Sequence, residues 1–147
     1  MILYLDPSAW IKRWIQEDGS DIVRIAVADP AYDAVACARL GRVEMIATFA
    51  RAWKRRKRLT KAKADRGRDE FFALWDRVVE VDFSPQLQVR AEKLATLHAL
   101  RGYDAVHLAS ALHLIGGGVP VALLSFDGEM LDACKLEGVP IYPQPKK

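Results

Sequence analysis

The chain is 147 residues long, 51% hydrophobic and 28% charged, with a formal net charge of +3. That is enough apolar material for one domain with a sizeable core, and too apolar a composition for a disordered chain. No apolar run approaches the roughly 18 residues of a membrane helix, and the N-terminus has no basic stretch leading a long apolar segment, so the expected location is the cytoplasm.

Ile2–Leu5 is an unbroken apolar run and predicts a short strand buried on both faces. Asp6 stands where that strand leaves the core, as a helix cap or as a group with chemistry to do. Pro7 suits the first turn of the helix that follows. Glu17-Asp18-Gly19-Ser20 breaks this helix, and Ser20 is placed to cap a second one through Ala28, ended by Asp29-Pro30. Tyr32–Cys37 reads as a second strand. A long helix follows from Arg39 to Arg58, then another from Lys61 to Val78. Val78–Phe83 reads as a third strand. Ser84-Pro85 supplies a cap and a first-turn proline for a helix up to Leu100. Gly102 marks a turn and Tyr103–Leu114 a helix. Gly116-Gly117-Gly118 leads into a fourth strand, Val119–Ser125. A short helix spans Gly128–Leu136, Val139–Tyr142 adds a short fifth strand, and residues 143–147 form a frayed tail. Strands alternating with helices predict a single domain over residues 1–147: a three-layer α/β/α sandwich around a mostly parallel sheet.

Ligands of such sheets bind outside the carboxyl ends of the strands. Asp6 lies just past the first strand and Asp127 just past the fourth. Two further acids sit on helices. Asp104 precedes the apolar stripe Ala105, Leu108, Ala109 and Leu112, where an acid favoured by the helix dipole is the plainer reading. Glu44 fills the remaining position of a stripe formed by Leu40, Val43 and Ala47. A glutamate on an apolar face calls for a partner, such as Arg39 or Arg42, for a side chain that reaches the rim, or for a cation. If Asp6, Glu44, Asp104 and Asp127 share one crevice, their repulsion favours a divalent cation, and an all-oxygen donor set favours Mg²⁺ or Mn²⁺ over zinc. Such ions clamp phosphate esters and activate water.

Charge is unevenly spread. Arg51–Lys63, RAWKRRKRLTKAK, holds eight Lys or Arg and no acid, and the rest of the chain has 14 basic residues against 19 acidic ones. Nucleic acid is one partner for such a segment, with Arg51, Lys54, Arg55 and Arg56 as candidate contacts; a solvated helix end is the other reading, and the segment alone does not choose.

The stretches "ILYLDPSAWIKRW", "RLGRVEMIATFARA", "LRGYDAVHLASAL" and "LLSFDGEML" resemble, in order, spacing and context, the four acidic motifs of PIN-domain ribonucleases, and most nearly the VapC toxins of toxin–antitoxin pairs. The resemblance implies that Asp6, Glu44, Asp104 and Asp127 form a metal-binding, catalytic acidic pocket for Mg²⁺ or Mn²⁺. It implies that the Ser8 hydroxyl supports this pocket, and that metal-activated water cuts RNA to leave 5′-phosphate and 3′-hydroxyl ends. It also implies a small VapB-type antitoxin that wraps the protein, and a homodimer. One position departs from the pattern: Pro7 stands where Thr or Ser is common, which removes a backbone donor and bears on how Ser8 is oriented.

Two other functions compete. One is a non-catalytic RNA- or protein-binding module in which the acids only hold structure. The other is a phosphatase like the haloacid dehalogenases, with Asp6 as nucleophile, but Ser8 stands where that family's second Asp acts as acid and base. The remaining features read as structural. Cys37 and Cys134 lack CxxC spacing and are expected to be reduced core thiols. His107 is expected to be a hydrogen-bonded packing histidine rather than a ligand. Trp10 with Trp14, and Phe71 with Trp75, stand one helical turn apart as core pairs do. The triple glycine lacks the phosphate-loop lysine.

Overall fold

Four short runs, each apolar enough to be buried, pair in parallel at the centre of the molecule. The computed structural model describes residues 1–143, so of the tail expected to fray only Pro143 is within the described residues. The strands are β1 (Ile2–Leu5), β2 (Ala34–Ala38), β3 (Val79–Val81) and β4 (Val121–Leu124), in the order β3-β2-β1-β4. β1 is flanked on both sides, pairing in parallel with β2 and with β4. The helices are α1 (Pro7–Trp10), continued by a 3-10 turn over Ile11–Arg13, then α2 (Ser20–Ala28), α3 (Arg39–Lys54), α4 (Lys61–Trp75), α5 (Pro85–His98), α6 (Gly102–Gly116) and α7 (Gly128–Glu137).

Side chains alternate across the strands, and this divides the core into two layers. Leu3 and Leu5 join Cys37 and Leu124 on one face, against Trp10, Val23, Met45, Phe49, Phe71 and Trp75 of α1–α4. Tyr4 joins Ala36, Ala38 and Leu123 on the other, against Leu87, Leu94, Leu108 and Met130 of α5–α7. The three-layer sandwich with a parallel sheet is thus present. Trp10, Phe71 and Trp75 form a mutual aromatic cluster with ring centroids 5.3–6.4 Å apart, and Trp14 packs on Phe49 and Phe71. Both cysteines are buried and unpaired.

Helix starts follow the capping chemistry of the sequence. Ser84 accepts from Leu87 N with Pro85 at the first position, and Thr60 accepts from Lys63 N. Ser20 does not cap α2. The cap residue is Gly19 at φ +93°, and the Ser20 hydroxyl instead bonds Ile15 O and Glu17 N. A side chain at Gly19 would also meet Phe126, its Cβ 2.5 Å from the ring.

Several boundaries are shorter than expected. The helix predicted to reach Arg58 ends at Lys54, and that predicted to reach Val78 ends at Trp75. α5 stops at His98, because Ala99 takes a left-handed conformation. Val139–Tyr142 is no strand: only Ile141 bridges to Leu123, since Pro140 and Pro143 on either side have no N–H to extend a ladder.

Candidate active site

β1 and β4 run in parallel side by side, so the residues just past their ends become neighbours. Asp6 caps α1 and Asp127 caps α7, each accepting a backbone N–H from its helix: Ala9 N to Asp6 Oδ1 at 3.1 Å, Met130 N to Asp127 Oδ1 at 3.0 Å. Capping therefore does not set these acids apart from chemistry; it fixes where they stand.

Asp6 is only 2% exposed. A carboxylate so placed needs donors. The Ser8 hydroxyl donates to its Oδ1 at 2.6 Å, and the Ser125 hydroxyl to its Oδ2 at 2.5 Å. Each serine is itself held by the loop after β4: Phe126 N donates to Ser8 Oγ and Asp127 N to Ser125 Oγ, both at 3.1 Å. Phe126 is clamped in turn between Gly19 and the Lys12 ammonium, which lies 4.5 Å from the ring centroid. Pro7 occupies the first turn of α1 without disturbing the Ser8 contact. Ser125 is the residue that sequence reading misses. A signal for it exists: it stands two residues before Asp127, as Ser8 stands two after Asp6.

Burial raises the Asp6 pKa, against the pull of the Ser125 and Ser8 hydroxyls. Asp104, in the first turn of α6, makes no hydrogen bond or ion pair among the described residues. Its pKa is raised to about 6, by partial burial first and then by the negative charges of Asp127 and Asp6. Three carboxylates thus feel one another at this end of the sheet.

Glu44 reaches the rim, one of the placements expected for it, but the stripe around it and its partner differ from the expectation. The buried face of α3 is Gly41, Met45, Phe49 and Ala52, while Val43 is 64% exposed and Ala47 is also exposed. Glu44 lies at the edge of that face, and its partner is neither Arg39 nor Arg42. It is His107, whose Nε2–H donates to Glu44 Oε1 at 2.6 Å. On the far side of the ring, Nδ1 meets the Tyr4 hydroxyl at 2.7 Å, and Tyr4 Oη accepts from Ala38 N at 2.9 Å. His107 is fully buried. Burial opposes charging its ring, but Tyr4, Cys37 and Glu44 outweigh that and hold its pKa well above the ordinary value. His107 is thus a hydrogen-bonded packing histidine, as expected, and it ties Glu44 on α3 to β1 and α6.

Gly41 makes this approach possible. A Cβ there would lie 2.5 Å from Cys37 Sγ and 3.2 Å from His107 Cε1. Gly41→Ala is expected to destabilise the fold by about 1–3 kcal/mol through overpacking, and Cys37→Ala in the same chain should recover most of it. Denaturant melts of the two variants check this; an additive loss would refute the contact.

The acids share one end of the sheet, yet among the described residues no three carboxylate, imidazole or thiol groups are grouped to hold one ion. Asp6 is engaged by serines, Asp127 by its helix and Glu44 by His107.

The basic segment divides between two faces. Arg51 and Arg56 line a groove against Ile11 and Ile15. Lys54 lies on another face beside Trp53, its Nζ 5.4 Å from the indole. Arg55 is exposed at the end of α3. No helix among the described residues is long and apolar enough to cross a membrane.

The PIN domain family pattern matches residues 3–136. Ribonuclease VapC45 of Mycobacterium tuberculosis is 36% identical over 122 residues, 83% of each chain. Among solved structures, Mycobacterium tuberculosis VapC20, described as a sarcin–ricin loop cleaving toxin, aligns with a TM-score of 0.64 at 17% identity, covering 89% of this chain and 94% of that one. VapBC2 of Rickettsia felis, bound to a DNA fragment from its promoter, aligns at 0.64 with 12% identity over 97% and 98%.

Proposed function

Because this chain belongs to the PIN domain family, and within it to the VapC ribonucleases, we propose that it is a metal-dependent endoribonuclease and the toxin of a toxin–antitoxin pair. The observation that supports this most is the buried Asp6, braced by two serine hydroxyls and grouped with Asp127 near Asp104, whose pKa is lifted to about 6 by partial burial and then by the charges of Asp127 and Asp6. The residues assigned to catalysis and metal binding are Asp6, Glu44, Asp104 and Asp127, with Ser8 and Ser125 in support.

A divalent cation fits this set by its chemistry. The donors are hard oxygens alone, which suits Mg²⁺ or Mn²⁺, and a cation relieves the like-charge repulsion on Asp104. Ligation requires the four side chains to close up from the positions observed. When bound, the cation would polarise the phosphodiester and activate water. The chain's own part is to hold the acids in place. Ser8 and Ser125 keep Asp6 oriented and ready as an acceptor. His107 anchors the Glu44 carboxylate from behind. In the metal-free chain Asp104 takes up its proton near pH 6, so protons compete with the cation for this carboxylate and metal affinity should fall below that pH.

The substrate is RNA, and Arg51, Lys54, Arg55 and Arg56 are proposed phosphate contacts. A VapB-type antitoxin, a homodimer and action in the cytoplasm are proposed on the same family grounds. Ser8 donates to Asp6 and offers no acid, which leaves the phosphatase reading without its second carboxylate.

The test is cleavage of total cellular RNA by the purified chain. Mg²⁺ or Mn²⁺ should support cutting, EDTA should abolish it, and the products should carry 5′-phosphate and 3′-hydroxyl ends. EDTA-resistant cleavage, or 2′,3′-cyclic phosphate ends, would contradict the proposal.

A further inference from the structure

A crevice runs along the junction of α1 and α3, two elements in direct contact. One wall is α3. Thr48 stands four residues beyond Glu44, about 6 Å along the axis, and its hydroxyl donates to Glu44 O at 2.8 Å. Arg51 and Ala52 follow at the next turn. The other wall is Ile11 and Ile15, in the segment that continues from α1. The crevice holds a cavity of about 250 Å³, whose lining also includes Arg56 and Arg58.

Its lining is of two kinds. Ile11, Ile15 and Ala52 are buried and make an apolar floor. Arg51 and Arg56 supply the donors at the rim, since Thr48 already donates to Glu44 O and Arg58 to Glu17. The single acid there, Glu17, is already engaged by Arg58 at 2.6 Å and Lys12 at 3.0 Å. Arg51 and Arg56 have no ion pair among the described residues.

We propose that this crevice seats the RNA nucleotide next to the one cut, with its base on the Ile11–Ile15–Ala52 floor and its phosphate on Arg51 and Arg56. The proposal rests on the ribonuclease reading and adds to it a determinant of sequence preference. Three features favour a nucleotide over a protein segment. The cavity lies below the roughly 300 Å³ at which pockets for larger ligands begin, so it suits one base. α3 carries both Glu44 and, from one turn further on, the crevice wall of Thr48, Arg51 and Ala52. Guanidinium planes and apolar surfaces are what unstacked bases pack against in single-stranded RNA recognition.

The test is equilibrium binding, in EDTA, of a fluorescein-labelled pool of single-stranded RNAs, so that no cleavage is needed for the readout. A fluorescent polyglutamate peptide is measured beside it. Arg51→Ala with Arg56→Ala should weaken RNA binding about tenfold. It should also lower the slope of log affinity against log salt by about 1.4, at about 0.7 per lost phosphate contact. Ala52→Met, which fills the floor, should weaken RNA binding and alter the base selected from the pool at one position. Should that variant fail to fold, the exposed arginine variants still decide. Unchanged RNA affinity and salt slope in the double arginine variant would overturn the proposal. So would a loss confined to polyglutamate, which would assign the crevice to an acidic protein. Wild-type chain that binds RNA through these residues yet never cuts it would overturn the ribonuclease reading and leave the seat standing.

Discussion

Asp104→Asn should cost activity and raise stability in the same molecule. RNA cleavage is expected to fall by at least a factor of 100, since the substitution takes one of four carboxylates from the proposed metal set. In EDTA at pH 7 the same variant should melt higher than the parent. The sign follows from the raised pKa. In the folded state Asp104 is partly buried and then also held beside Asp127 and Asp6, so its folded pKa of about 6 lies above the ordinary value of 3.8. The folded state therefore binds more protons than the unfolded one between about pH 4 and pH 6, and stability falls as pH rises through that window. Above it, the ionised group costs on the order of 1–2 kcal/mol after allowing for solvent screening of a half-buried side chain. Asparagine avoids that cost. The gain in melting temperature, about 2–4 °C per kcal/mol for a chain of this size, should be full at pH 7 and gone below about pH 4. A variant that loses both stability and activity at pH 7 would mean that Asp104 is a structural acid.

His107→Leu should produce the largest loss of stability among single changes at this end of the sheet. It removes the donor to Glu44 and leaves the fully buried Tyr4 hydroxyl with one of its two partners gone. Losing a charge-assisted bond and stranding a buried polar group together cost about 2–4 kcal/mol. Cleavage should fall as well, because Glu44 loses its anchor. A Tyr4→Phe variant separates the parts. In a double-mutant cycle, Tyr4→Phe and His107→Leu should be coupled by at least about 1 kcal/mol, since the second change removes what the first would have lost. Simple additivity would show that Tyr4, His107 and Glu44 do not act as one chain.

Much of this architecture is readable from residues alone, and the exceptions have physical causes. Ile2–Leu5 followed by Asp6-Pro7-Ser8 specifies a strand, a cap and a helix start, and all three stand where expected. The phase of α3 is where periodicity misleads. Leu40, Val43 and Ala47 have helical spacing, but so do Gly41, Met45, Phe49 and Ala52, and the second set faces the core. Periodicity does not rank two stripes when the winning one begins with a glycine whose value lies in a neighbour's sulfur 2.5 Å from its missing Cβ. For the same reason a local arginine looks like the natural partner of Glu44, whereas the true partner is 63 positions away. Ser125 is hard to single out because a serine at a strand end has many uses, and only the pairing of β1 with β4 places it against Asp6. Of the four acids, position at the sheet end follows from topology; their joint use of a cation does not, because each of Asp6, Glu44 and Asp127 is held by a protein partner here.

That joint use is the central claim, and calorimetric titration of Mn²⁺ into the chain tests it most directly. The account predicts saturable binding by the parent, with affinity reduced at least tenfold in Asp6→Asn, in Glu44→Gln, in Asp104→Asn and in Asp127→Asn alike. Unaltered Mn²⁺ affinity in folded Asp104→Asn, or no binding by the parent at millimolar Mn²⁺, would contradict it.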